Sequence, residues 1–446
     1  MFVGLGCPKY TPSGLFGKFN IFSHIINQLN KITFKIFLFS LFFATSIHPE
    51  KKRLVILSID GLPGYFFQKD SIYSKYTPNL NKYFSLATTT FSGKSVFPTL
   101  TYPAHTSMVT GKLPSAHGIL YNSIPDPLHK YTENWYWYSE YIKSKTLYDI
   151  AKKHKLKTAA IYWPATVGAR IDENIPQLWI AKDEYDNPLF RIIAGKTWNW
   201  LSERYNIKLN EKSSDQERID AGLKIWKYKK TDLMLVYSME VDSILHKYGM
   251  ESEELINVLQ QTDLWFGKFV NELDLYKKGS KVALIVVSDH GFQKSEKVCN
   301  PNLILKKMDL LGDDYWKYYF HSLGGVAILL KNENSEDLKT EEQVFLSENL
   351  KPCNITTEFS GKNISRAKSE IDKSIEAVLL SDGSIVFRNS AHGELVEDKQ
   401  IFTHGFLPEM DSMRTVISVF PAIKKQPKEI TDVFWISCKW LDLKCN

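Results

Sequence analysis

The sequence predicts an α/β fold in which a central, mostly parallel sheet is flanked by helices, with a smaller inserted or capping subdomain over residues 305–395. Three observations predict it. Continuous apolar runs, such as residues 54–59 and 282–288, read as strands buried on both faces, the kind found in parallel sheets. Helix-length segments separate these runs. Carboxylates stand directly after several of them, at the strand ends where open α/β sheets bind ligands.

With 446 residues, 43% of them hydrophobic and 13% aromatic, the chain can bury a large core and is not a disordered segment. Residues 1–46 hold four lysines, Lys9, Lys18, Lys31 and Lys35, and no acid, and an apolar run covers residues 36–47. A basic flank, a short apolar run and the small residues Ala44, Thr45 and Ser46 make residues 1–47 read as a signal peptide or leader. That run is short for a bilayer span, and an uncleaved anchor is the rival reading. The implied location is outside the cytoplasm, periplasmic or extracellular.

Removing the leader takes the net charge from +6 to +2, so the balance gives no nucleic-acid-binding patch, and a membrane enters only through an uncleaved leader. Cys7 would leave with it. Cys299, Cys353, Cys438 and Cys445 remain and allow two disulfides, with Cys438 and Cys445 the nearest pair in sequence.

The elements follow in order. Residues 54–59 form the first strand, ending at Asp60-Gly61. Thr101 then sits on a turn bracketed by Pro98 and Pro103, and the small and apolar run 106–110 predicts a helix ended by Gly111. Helices over 146–154, 215–227 and 252–273 precede strands over 158–163, 233–238 and 282–288. Asp242 and His246 follow the second of these strands, four apart and so on one side of a helical turn. Asp289-His290-Gly291 follows the third. From 305 the chain turns charge-rich, with strand-like runs at 326–330 and 377–380; His404-Gly405 and a strand over 416–420 come after it. The catalytic domain then spans residues 51–425, and 426–446 read as a C-terminal tail.

Singly, each piece has an ordinary explanation: an Asp-Gly turn, a surface Asp–His pair, a threonine capping a turn. Together, several strand ends deliver oxygen and imidazole ligands to one edge of a sheet, a mixture that favours zinc over magnesium. A threonine hydroxyl needs a base or a metal before it can attack. Two metals roughly 4 Å apart supply that activation and stabilise the leaving oxygen, which is phosphoryl transfer.

At these motifs the chain resembles the nucleotide pyrophosphatase/phosphodiesterase family of the alkaline phosphatase superfamily. The resemblance rests on Ile59-Asp60-Gly61, on residues 98–105 (Pro-Thr-Leu-Thr-Tyr-Pro-Ala-His), on residues 110–119 from Thr110-Gly111 to Gly118-Ile119, and on Trp163-Pro164. Asp242 with His246, Ser288-Asp289-His290-Gly291 and Thr403-His404-Gly405 complete it, so it covers roughly residues 53–300 and 400–425. The resemblance implies an alkaline-phosphatase-like sheet and two Zn2+ per chain, one held by Asp60, Thr101, Asp289 and His290 and the other by Asp242, His246 and His404. It implies that Thr101, not Thr99, is the nucleophile, that a covalent threonine-phosphoryl intermediate is resolved by water, and that Asn122 donates a hydrogen bond to a phosphoryl oxygen.

The substrate so implied is a nucleotide phosphodiester or pyrophosphate, with Tyr102 and Tyr185 stacking on the base. His105, His117 and His392 are left with structural roles, His392 being the one to replace His404 if that ligand is misplaced. Extra domains of some vertebrate members have no counterpart in this sequence, which resembles a compact bacterial-type version. The stretch 305–395 matches least, and with it the rim of the site.

The same metals would also serve a phosphomonoesterase or a phosphodiesterase of choline-type lipid head groups. A monoesterase needs added positive charge, commonly an arginine, and none stands near Thr101 or Asn122 in sequence. A sulfatase needs a cysteine where Thr101 stands. A catalytically dead scaffold would not be expected to keep competent side chains at all seven metal positions.

Overall fold

The computed structural model describes residues 51–131, 134–178 and 188–445, so the leader and Tyr185 lie outside the described residues. The fold below is that of the unit beginning at Lys52.

Fourteen strands are described: β1 (Arg53–Ile59), β2 (Thr88–Gly93), β3 (Thr158–Ile161), β4 (Glu173–Ile175), β5 (Leu233–Ser238), β6 (Val282–Val287) and β7 (Gln293–Cys299); then β8 (Tyr318–Ser322), β9 (Val326–Lys331), β10 (Thr356–Glu358), β11 (Ile375–Leu380), β12 (Ile385–Phe387), β13 (Val396–Thr403) and β14 (Thr415–Phe420). Seven of them form the main sheet in the order β2-β14-β6-β1-β5-β3-β4. β1 pairs in parallel with both β5 and β6, and β14 is antiparallel to both its neighbours. All six residues of β5 and of β6 are buried, the physical reason their sequences are unbroken apolar runs. The α/β reading therefore holds.

The central register positions the site. Ile59 of β1 lies opposite Ser238 of β5, and Ser58 lies opposite Val287 of β6, so these three adjacent strands end level with one another. Whatever follows them emerges at one edge.

Within residues 305–395, β8, β9, β10 and β11 form a second, antiparallel sheet in the order β10-β11-β9-β8, with its own apolar cluster around Leu329, Leu346 and Leu379. A third sheet, β12-β7-β13, joins that region to the strand leading to His404. Cys299 is bonded to Cys353 and Cys438 to Cys445.

The segment after residue 425 is not a tail. Its helix Asp432–Trp440 places Val433, Phe434 and Cys438 in the main core. Phe434 packs on Gly111, where an added Cβ would come within 2.7 Å of its ring. Its apolar run over residues 433–436 is as long as that over 377–380, but nothing in the sequence shows which surface it packs on. Among the described residues, no helix is long and apolar enough to cross a membrane.

Candidate functional site

Asp60, Asp242 and Asp289 arrive at the site from the ends of the three central strands. Asp60 follows β1 directly; Asp289 lies two residues beyond β6; Asp242 lies in the first turn of helix Glu240–Tyr248, which follows β5. Gly61 adopts φ +63°, and a Cβ there would come within 3.1 Å of the Asp242 side chain, so glycine lets the two chains close up. Its N–H donates to Asp289 Oδ1 at 3.1 Å.

Three imidazoles face this cluster, all held in the same way. The Nδ1 atom of His246 is bonded to the Phe402 carbonyl at 2.9 Å, that of His290 to the Gly291 carbonyl at 3.1 Å, and that of His404 to the Thr99 carbonyl at 2.9 Å. Each ring therefore keeps its Nε2 lone pair for the site, the arrangement that orients metal-bound histidines. His290 Nε2 lies 3.3 Å from Asp60 Oδ1 and 3.3 Å from Asp289 Oδ2; His246 Nε2 lies 3.5 Å from Asp242 Oδ1. The His290 and His404 rings stack at 3.6 Å.

Asp60 Oδ1, Asp242 Oδ1 and Asp289 Oδ2 are buried with no hydrogen-bond partner. Buried acceptors in that state are costly, and three carboxylates this close repel one another. Burial and the neighbouring Asp289 and Asp242 carboxylates push the Asp60 carboxyl well above its usual range. Burial also raises Asp242, against the pull of His246 and His290. Burial pushes Asp289 up too, but His290, His105 and the Gly61 N–H outweigh it and hold that carboxyl low. His404 is driven well below the ordinary histidine range by burial beside His290 and His246. Cations bound among these groups would remove both the repulsion and the orphaned acceptors, so the donor set fits metal ions.

Among the described residues two clusters have ligand atoms close enough to share an ion, within 4.8 Å of one another: Asp242, His246 and His404, and Asp60, Asp242 and His290. Asp242 belongs to both. The sequence assigned it to one site only.

Thr101 opens helix Thr101–Thr110, and Gly111 ends it at φ +64°. Its Oγ1 lies 3.4 Å from His290 Nε2, so the hydroxyl faces the carboxylate cluster. Asn122 lies beside it, with Oδ1 accepting the Tyr102 N–H at 2.9 Å.

The three other histidines stand apart from the donor set, although His105 Nδ1 lies 3.6 Å from Asp289 Oδ2. His105 uses Nδ1 on the Thr101 carbonyl at 2.8 Å and Nε2 on Ser58 Oγ at 2.8 Å, so neither nitrogen is left for an ion. His117 is saturated by Ser107 Oγ at 2.9 Å and the Ile119 N–H at 3.2 Å. His392 is exposed and lines a separate cavity with His129 and Asp313.

Tyr102 needs correction. It is 0% exposed, and Trp135 packs against its ring with centroids 5.4 Å apart, so no face is open to a base. Trp135 itself is only half-buried and is fixed by pairing with Ser123, next to Asn122. Three participants escaped the sequence reading: Trp135; Tyr237, whose hydroxyl donates to Asp60 Oδ2; and Thr99, which anchors His404. Tyr237 could have been found, since it points inward one residue before β5 ends; the other two act through pairings remote in sequence.

A mostly parallel sheet that gathers carboxylates and imidazoles at the carboxyl ends of its central strands defines a class, the α/β proteins with a candidate metal site at the sheet edge. Within it, residues 54–406 match the sequence model of type I phosphodiesterase / nucleotide pyrophosphatase, and the chain belongs to that family. An uncharacterized pyrophosphatase/phosphodiesterase of Schizosaccharomyces pombe is 25% identical over 54% of this chain and 45% of its own length. The venom phosphodiesterase of Macrovipera lebetinus is 24% identical over 89% of this chain and 44% of its own. Human ectonucleotide pyrophosphatase/phosphodiesterase family member 1 is 26% identical over 59% and 26%. The chain thus spans less than half the length of these relatives. Among solved structures, murine ectonucleotide pyrophosphatase/phosphodiesterase 5, an inactive variant in complex with AMP, shares the fold at TM-score 0.64 and 19% identity, over 89% of this chain and 96% of that one.

Proposed function

We propose that this chain is an exported two-zinc hydrolase of nucleotide phosphodiester or pyrophosphate bonds that works through a covalent Thr101-phosphoryl intermediate. One observation carries the reading: orphaned oxygens of Asp60, Asp242 and Asp289 converge with three backbone-anchored imidazoles beside the Thr101 hydroxyl. Asp60, Asp289, His290 and Thr101 would hold one ion and Asp242, His246 and His404 the other, with Asp242 reaching toward both. Bound there, zinc ions would acidify the threonine hydroxyl and offset phosphoryl charge.

The chain's own groups do the rest. Thr101 Oγ1 attacks phosphorus as the bond to the leaving oxygen breaks, and the threonine proton ends on that leaving oxygen; water then cleaves the phosphothreonine ester, its hydroxyl going to phosphorus and its other proton to Thr101. Thr101 stands at the N-terminal end of its helix, where the macrodipole favours the anionic phosphoryl group. Asn122 Oδ1 is engaged by the Tyr102 N–H, which turns the amide NH2 end toward donation to a phosphoryl oxygen. Trp135, partly exposed beside Tyr102, would be the aromatic that stacks on a base; its contact with the residue after Thr101 supports this. The names of the venom and ectonucleotide relatives and the AMP bound by the murine neighbour support a nucleotide substrate. Two disulfides suit an oxidising compartment.

The test is zinc content per chain together with hydrolysis of a nitrophenyl ester of thymidine monophosphate beside nitrophenyl phosphate, with and without chelator. Diester preference that chelation abolishes, and a loss of about a thousandfold or more in Thr101→Ala, are expected. Preference for the monoester would make the chain a phosphatase. A zinc-loaded chain that turns over neither would move its substrate outside the nucleotides.

A further inference from the structure

The chain's modest overall charge hides a local excess. Residues 143–157 contain six lysines against a single acid, Asp149. The fold gathers Lys143, Lys145, Lys152 and Lys153 with Arg170 and Lys444 around one cleft of about 780 Å3, and all six are exposed. Of the acids nearby, one pairs with a cleft lysine and two are engaged outside it. Asp149 caps its own helix through Thr146, Asp172 is bonded to Lys152 at 2.9 Å and to the Thr158 N–H at 3.0 Å, and Asp442 is held by Lys52 at 2.8 Å. Lysines in the last turn of a helix complement its dipole, which accounts for Lys152 and Lys153. It does not account for four further cations brought in from other segments.

The cleft lies at the edge of the sheet opposite the candidate site. Helix Leu147–Lys153 leads into the start of β3, and the C-terminal helix is tied to the start of β1 by the bond from Trp440 Nε1 to the Arg53 carbonyl at 2.9 Å. Asp60 stands at the other end of β1, whose seven residues separate the two edges by about 23 Å. A ligand in the cleft therefore cannot touch a phosphoryl group at Thr101.

Apolar side chains accompany the lysines. Leu113, Tyr141 and Trp435 are 39%, 37% and 46% exposed. Tyr141 lies two residues before Lys143, whose N–H bonds the His117 carbonyl in the short helix that Leu113 begins. Trp435 lies on the helix Asp432–Trp440, which packs against helix Leu147–Lys153.

We propose that this edge docks on an anionic phospholipid surface, its lysines and Arg170 taking the headgroups while Leu113, Tyr141 and Trp435 enter the interface, so that the catalytic edge faces away from the bilayer. Exposed aromatic and aliphatic side chains on the segments that neighbour a lysine-rich cleft suit a lipid interface, where one end of the contact is charged and the other apolar. A soluble polyanion would use the charges and leave the apolar groups idle.

The experiment is co-sedimentation of the purified full chain with vesicles of phosphatidylcholine alone, or of phosphatidylcholine with about one-third phosphatidylglycerol. Wild type should sediment with the anionic vesicles only, and less as salt rises. The combined Lys145→Glu, Lys153→Glu, Lys444→Glu variant should lose at least about tenfold in binding at unchanged melting temperature. Trp435→Ser should also weaken it. Equal sedimentation with neutral vesicles, or binding unchanged in the triple variant, overturns the proposal. So does a Trp435→Ser variant that binds as wild type while soluble heparin competes fully, which would make the edge a polyanion site.

Discussion

The imidazole of His404 is held by Thr99: its Nδ1 atom lies 2.9 Å from the Thr99 carbonyl oxygen, across 305 positions of sequence. The Thr99 hydroxyl serves the same loop twice, donating to the Phe406 carbonyl at 2.9 Å and accepting the Gly405 N–H at 3.1 Å. Thus the turn that presents Thr101 also sets the far wall of the site. The loop has no slack, since Gly405 sits at φ +83° and a Cβ there would lie 1.5 Å from the Leu323 carbonyl oxygen.

Thr99→Val keeps the shape and the carbonyl but removes both hydroxyl bonds. Zinc affinity should fall severalfold, less than the about 10–100-fold that goes with losing a bonded outer-shell partner, because the carbonyl stays and only the loop that carries His404 loosens; Thr101 itself is untouched. Competition against a chromogenic chelator measures it. Wild-type affinity would mean that backbone packing alone holds His404.

Asp242 belongs to both candidate clusters, so Asp242→Asn should lower zinc content at both positions, whereas His246→Ala should empty only one. Metal analysis after dialysis against a fixed free-zinc buffer separates the two variants. If Asp242→Asn still holds one ion as tightly as wild type, the carboxylate serves a single site.

Much of this site was legible because its donors follow strands immediately, as Asp60 and Asp289 do, or sit one helical turn further on, as Asp242 and His246 do. Apolar runs long enough to cross a sheet marked β1, β5 and β6 for the same reason. What stayed hidden depends on long-range packing. Trp135 packs on the buried Tyr102 and is brought there by its isolated bridge to Ser123, beside Asn122. The helix Asp432–Trp440 looked like a tail until Gly111 supplied the surface for Phe434.

Acid should weaken the fold through histidines that take no part in catalysis. Burial pushes His117 down to about 3 and His321 to about 4. Both are thus neutral in the native state down to those values, whereas the unfolded chain takes up the protons near pH 6.5. Below that pH the unfolded state binds protons the native state refuses. The stability is therefore complete above about pH 6.5 and falls on acidification by up to about 1.4 kcal/mol per pH unit for each group. His117→Gln should start less stable, because Ser107 and Ile119 lose their partner, yet show a shallower decline between about pH 6 and 4. Urea unfolding of the zinc-loaded protein at several pH values gives both slopes, and parallel slopes would mean that His117 titrates as an ordinary histidine.

Trp135 separates recognition from chemistry. Its ring packs at a tilt against Tyr102, the residue after Thr101, yet stays partly exposed and is fixed by the bridge to Ser123. A platform of that kind contributes through stacking, which is worth about 1–3 kcal/mol per base and does not discriminate strongly among bases. Trp135→Ala should accordingly raise KM for nucleotide esters roughly tenfold and leave kcat within about twofold. A diester with two nitrophenyl groups and no base should show a much smaller change, because the phosphoryl contacts of Thr101 and Asn122 are untouched. Steady-state kinetics on the two substrates decides the matter: an equal loss on both would mean that Trp135 merely props the Asn122 segment, and a loss confined to kcat would place it in the chemical step.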